Sequence, residues 1–114
     1  MSRLIYHMCR LEEWAAAETR SVYHGSSQDL ADGFIHFSTA EQIVESARRH
    51  RARQPGLVLV AVDPARLGAR LHWEPSRGGE LFPHLYGPLN TSESESVRPL
   101  PLGPDGLHVF PELD

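Results

Sequence analysis

A chain of 114 residues with 40% hydrophobic and 23% charged side chains has the length of one domain, 1–114, and can bury a core without disulfides or metal. A net charge of −4 weighs against a general binder of nucleic-acid phosphates. The longest apolar run, Leu57 to Val62, is too short to cross a bilayer, and no apolar segment of signal-peptide length opens the chain.

The lone Cys9 has no internal disulfide partner. It points to a reducing compartment, the cytoplasm, and reads as a buried hydrophobe. Arg3 to Cys9 reads as a first strand, with Leu4, Tyr6 and Met8 on one face and Ile5, His7 and Cys9 on the other. His7 is the polar exception on its face. Leu11 to about Thr19 follows helical spacing around Trp14. Arg20 to Leu30 is rich in turn formers; Tyr23 to Ser27 reads as a short strand entering a loop, where Gly25 permits a close backbone approach.

Asp32-Gly33-Phe34-Ile35-His36-Phe37-Ser38 reads as a strand that carries His36 and Ser38 on one face and Ile35 and Phe37 on the core face. Ser38 and Glu41 fit a capping box, opening a helix from Thr39 to about Arg53. Its basic end, Arg48 to Arg53, reads mostly as a solvated face. Pro55-Gly56 stops the helix, and Leu57 to Val62 forms a central strand. Ala69 to Glu74 forms another. Phe82 to Gly87 presents His84 and Tyr86 on one face, with Pro83 restricting it to an edge or irregular strand. Beyond the acidic loop at Thr91 to Ser96, Ser96 to Leu100 and Leu107 to Phe110 read as closing strands. About two helices and six or seven strands make an α+β fold with a mostly antiparallel or mixed sheet.

No P-loop, G-x-G-x-x-G, G-x-S-x-G or C-x-x-C occurs. His7, His36, His84, Tyr86, Ser38, Asp32 and Glu74 remain as candidates for chemistry, most of them on or beside strands with large apolar neighbours. Polar groups there are costly unless satisfied, so three histidines in such places point to one shared cleft. The spacing has no tight pair such as H-x-x-x-H, so a metal site is not expected. Nucleotide binding, and acid–base phosphoester chemistry by two histidines, both fit; His36-x-Ser38 is similar to the H-x-S/T strands of two-histidine phosphoesterases.

Ile5-Tyr6-His7, Trp14, the Asp32–Ser38 run, Gln42, Val62-Asp63, Trp73-Glu74-Pro75 and Phe82-Pro83-His84-Leu85-Tyr86-Gly87-Pro88-Leu89 together resemble the bacterial and plant family known as domain of unknown function 952. The resemblance implies a fold similar to ADP-ribosyltransferases and RNA 2′-phosphotransferases, with two small sheets around a cleft that holds NAD or ADP-ribose. It implies that His7 matches the first-strand site residue and that His36 and Ser38 form the second-strand element. Glu74 and His84 compete for the late catalytic place. The expectation is therefore a site with His36, His84 and Glu74 catalytic, and with His7, Ser38, Tyr86, Gly25, Ser26 and Asp32 against the ligand. The ligand is NAD or another small nucleotide, and ADP-ribosyl transfer or NAD hydrolysis is the implied activity. A non-catalytic binding or interaction module, and phosphoester or RNA 2′-phosphate chemistry, are the alternatives. The residues give no oligomeric state.

Overall fold

The computed structural model describes residues 3–113, with only the backbone of residue 77. The core is built on both faces of an antiparallel four-stranded sheet. Strand β1 (Ile5–Arg10) pairs along its length with β5 (Leu57–Val62), whose six residues are all buried. On the outer edges lie β4 (Ser38–Thr39) and β9 (Ser94–Leu100), giving the order β4-β1-β5-β9.

Strand alternation splits the apolar residues between two cores. Tyr6, Leu57, Leu59 and Ala61 face α3 (Ala40–His50) through Ile43. Ile5, Cys9, Val58, Val60 and Val62 face the opposite way. There they meet Trp14 and Ala17 of α1 (Leu11–Arg20), Tyr23 of β2 (Val22–Tyr23), and a second antiparallel sheet. That sheet runs β3 (Ile35–His36), β7 (Leu81–Leu85), β6 (Leu71–Pro75). β2 pairs with β8 (Leu89–Asn90) as a separate ribbon. The architecture is α+β, and every strand pairing among the described residues is antiparallel.

Several expectations are corrected. A third helix, α2 (Ser27–Asp32), lies where turn formers predict a loop. Ser26 caps it: its backbone N–H donates to Asp29 Oδ2 at 2.7 Å, and Asp29 N–H donates back to Ser26 Oγ. Asp32 to Ser38 is not one strand. Asp32 ends α2, Gly33 follows with φ 87° as the left-handed cap, and β3 and β4 belong to different sheets. The chain crosses between sheets at Phe37, whose N–H donates to Pro83 O at 3.0 Å.

The cap of α3 is Thr39 with Gln42, one residue later than the Ser38–Glu41 box. Ser38 Oγ instead meets Ser46 Oγ at 3.0 Å, and Glu41 pairs with Arg3. α3 stops at His50, because Arg51 leaves the helical conformation and Arg53 turns to φ 66° to donate its N–H to Gly106 O. Leu107 to Phe110 forms no strand, only a bridge from His108 to Leu102. No helix among the described residues is long and apolar enough to cross a membrane.

Candidate functional site

The site begins where strand pairing stops. β4 meets β1 only at Ile5 and Tyr6. From His7 onward that edge of β1 has no strand partner among the described residues, and a cavity of 570 Å³ opens beside it, within the size range of small-molecule sites. His7, Ser26, Asp29, Asp32, His36, Ser38 and His84 all line it. α2 and β3 supply one wall. β7 brings His84 into register opposite His36, with ring centroids 5.7 Å apart.

Asp29 is the hub of this wall. Its carboxylate is 3% exposed, yet it collects the backbone N–H of Ser26 at 2.7 Å, the Ser26 hydroxyl at 3.0 Å, the backbone N–H of His36 at 3.0 Å and His36 Nδ1 at 2.5 Å. Burial alone would push its pKa up. The hydrogen bonds from His36 and Ser26, with the nearby His7 ring, outweigh that and hold it at about 2. Asp29 is thus a buried anion at neutral pH. Gly25, with φ 105°, makes room for it: a Cβ there would sit 2.6 Å from Asp29 Cβ.

His36 is bracketed by carboxylates. Its Nε2 lies 3.0 Å from Asp32 Oδ2, opposite the Asp29 contact, and its side chain is 39% exposed. His7 is the reverse, 3% exposed with both nitrogens engaged. Nδ1 is 2.6 Å from the His36 carbonyl oxygen and so carries the proton; Nε2, 2.6 Å from the Tyr23 hydroxyl, accepts from it. Burial lowers the pKa of this ring despite the nearby Asp29, which keeps it neutral. On β7, His84 Nδ1 lies 2.7 Å from Glu74 Oε1, and the Tyr86 hydroxyl donates to the same oxygen at 2.7 Å. Those two bonds, His84's first, draw the Glu74 carboxyl below its usual range. Phe34 stacks on the His84 ring with centroids 4.0 Å apart.

The three histidines therefore meet around one concavity, with Ser26, Asp32 and Ser38. Glu74, Tyr86 and Gly25 are not among its lining residues; Glu74 and Tyr86 stand behind His84, and Gly25 behind Asp29. His7 lines the cavity with both of its nitrogens already bonded to protein partners. Sequence reading missed Asp29, although Ser26-x-x-Asp29 is a visible capping pattern. It also missed the cations. Arg10 and, from the basic run taken as solvated, His50 and Arg51 line the same cavity. Arg51 reaches it by donating to Met8 O at 3.2 Å and Gln54 Oε1 at 3.0 Å. Cys9 is fully buried, and burial raises its thiol to about 12, which leaves no reactive thiolate. Among the described residues no group of three or more His, Cys, Asp or Glu side chains is arranged to hold a metal ion.

The chain is similar to protein CC0527 from Caulobacter crescentus. Against its X-ray crystal structure the TM-score is 0.90 at 47% identity over 93% of each chain. Against its solution NMR structure the TM-score is 0.83 at 48% identity, over 91% of this chain and 90% of that one. No curated protein gives a significant match. The profile of the family described as "Protein of unknown function (DUF952)" matches residues 8–97, most of the chain, and the protein belongs to that family.

Proposed function

We propose that the cleft binds NAD or a related ADP-ribosyl nucleotide. The observation that carries this reading is the polarity of the cavity along the open edge of β1. At His7 it is acidic, with Asp29 and Asp32 around His36. Towards the strand end it turns basic, with Arg51 held at the Met8 carbonyl one residue on and Arg10 three residues on, beside Glu13. Three residues of strand span about 10 Å. The nicotinamide half of NAD matches this, a cationic pyridinium joined through one ribose to an anionic diphosphate. The diphosphate then lies towards Arg10 and Arg51, and the pyridinium ribose towards Asp32, His36 and Ser26. The fold that the family resemblance implies, with a cleft for NAD or ADP-ribose, is in keeping with a nucleotide here. Here His7 acts through the His36 backbone rather than on a ribose hydroxyl.

Isothermal calorimetry with NAD, ADP-ribose and nicotinamide mononucleotide tests the reading. NAD binds, and Arg51→Ala weakens NAD and ADP-ribose by about tenfold or more, the scale of one charged hydrogen bond. Failure of all three nucleotides to bind at millimolar concentration overturns it. Binding with no bond cleavage makes the protein a non-catalytic nucleotide module.

A second reading rests on the two facing histidines, each with a carboxylate on Nδ1. Such a pair suits acid–base cleavage of a phosphodiester. The acid-lined end argues against it, because Asp29 and Asp32 repel a phosphoryl group beside His36.

A further inference from the structure

His84 is 6% exposed and its ring is held from two sides. Glu74 holds its Nδ1 at 2.7 Å from a side that does not line the cavity. The Tyr86 hydroxyl fixes the same carboxylate oxygen, and Phe34 lies flat on the ring, 24° from parallel. A carboxylate on Nδ1 sets the neutral tautomer: Nδ1 carries the proton, and Nε2 keeps its lone pair. His84 lines the cavity, so Nε2 is the nitrogen left to serve it. A ring held in one tautomer by a carboxylate, with its second nitrogen given to a cavity, has the geometry of a general base.

We propose that His84 Nε2 is the general base of the cleft for cleavage of an N-ribosyl bond, with Glu74 as its positioning residue. The inference rests on the nucleotide reading above and specifies its chemistry. A water or alcohol gives its O–H proton to Nε2, and its oxygen forms a new bond to the ribosyl C1′. The C1′–N bond breaks and its electron pair returns to the pyridinium nitrogen, so nicotinamide leaves neutral. With water as acceptor the products are ADP-ribose, nicotinamide and a proton, which His84 passes to solvent. Positive charge develops at C1′, and the Asp29 and Asp32 carboxylates around His36 stabilise it. The same two anions disfavour the phosphoryl alternative.

Calorimetry with NAD and chromatographic measurement of released nicotinamide, run on the same samples, separate the two claims. Wild type binds NAD and releases nicotinamide. His84→Asn binds NAD within about threefold of wild type but releases nicotinamide about 100-fold more slowly, the scale of a lost acid–base group. Glu74→Gln acts at a site outside the cavity. It lowers kcat about tenfold with KM unchanged, a split that a merely structural role would not give. Thermal melts check that both variants are folded, and if His84→Asn is not, Glu74→Gln decides. Absence of NAD binding sinks the nucleotide reading and this inference with it. NAD binding without nicotinamide release by wild type, or release unaffected by both variants, overturns the base assignment and leaves binding standing. Cleavage of 2′,3′-cyclic AMP in place of NAD also overturns it, in favour of phosphoester chemistry.

Discussion

The Nδ1 of His7 lies 2.6 Å from the backbone carbonyl oxygen of His36, so the histidine of the first strand grips the backbone of the second histidine. The bond crosses from the main sheet to β3 of the second sheet at the point where β4 stops pairing with β1. On its other nitrogen the ring also satisfies the buried Tyr23 hydroxyl. His7→Phe keeps the ring's bulk and strands both partners. Each unpaired buried group costs about 1–3 kcal/mol, so urea unfolding should show a loss of about 2–6 kcal/mol for the two. An unchanged midpoint would mean that both partners find water.

Asp29 and His7 together predict acid lability, with the same sign. The Asp29 pKa, at about 2, lies below its ordinary 3.8. The stability it provides is complete above the ordinary value and is lost as pH falls from about 4 through 2. The difference corresponds to about 2 kcal/mol. The His7 pKa is lowered from 6.5 by burial. Below pH 6.5 the unfolded chain takes up a proton that the native ring resists, so stability again falls as pH falls. Unfolding free energy measured from pH 2 to 8 should rise with pH in two stages. His7→Phe should remove the upper stage and Asp29→Asn the lower. A curve flat from pH 4 to 6.5 would remove His7 from this account.

Gly25 and Gly33 flank α2 and should respond differently to alanine. Both have positive φ, 105° and 87°, so both lose backbone ease. Only at Gly25 does the new Cβ also strike something, Asp29 Cβ at 2.6 Å; at Gly33 nothing lies within 4 Å. Gly33→Ala should cost about 1 kcal/mol. Gly25→Ala should cost about 2–3 kcal/mol, with overpacking added to strain. Calorimetric melting of both variants checks the order, and equal losses would mean that Asp29 can shift without penalty.

What the sequence made legible was local. The alternation through Phe34, Ile35, His36 and Phe37 depends only on the two-residue period of extended chain, and Ile35 and Phe37 are buried while His36 opens to the cavity. β5 was legible from six apolar residues in a row. What stayed hidden depends on tertiary partners. Asp29 reads as an ordinary polar residue in a run of turn formers, because two of its hydrogen bonds come from His36, seven residues on. Arg51 reads as one cation in a solvated run, because only the end of α3 at His50 turns it towards the Met8 carbonyl. Periodicity assigns His7 to the correct face but cannot reveal that both its nitrogens are used.

His36 separates ligand binding from scaffolding. Its half-exposed ring makes no core packing, but it gives the buried Asp29 carboxylate one of its closest bonds, at 2.5 Å. His36→Ala should therefore lower the stability of the free protein by about 1–3 kcal/mol through Asp29, more than an open-cleft histidine would. Asp32→Asn removes the opposite carboxylate from His36 Nε2 and leaves the Asp29 bonds intact. It should barely change the free protein, because exposed ion pairs contribute about 0–1 kcal/mol. If the acidic end receives the pyridinium ribose, Asp32→Asn should still weaken NAD by about tenfold while leaving ADP-ribose, which lacks the cationic ring, within about twofold. Melting curves of wild type and both variants, alone and with each nucleotide, give all of these quantities. Equal losses for the two nucleotides would move the pyridinium away from Asp32 and reverse the orientation assigned to the cleft.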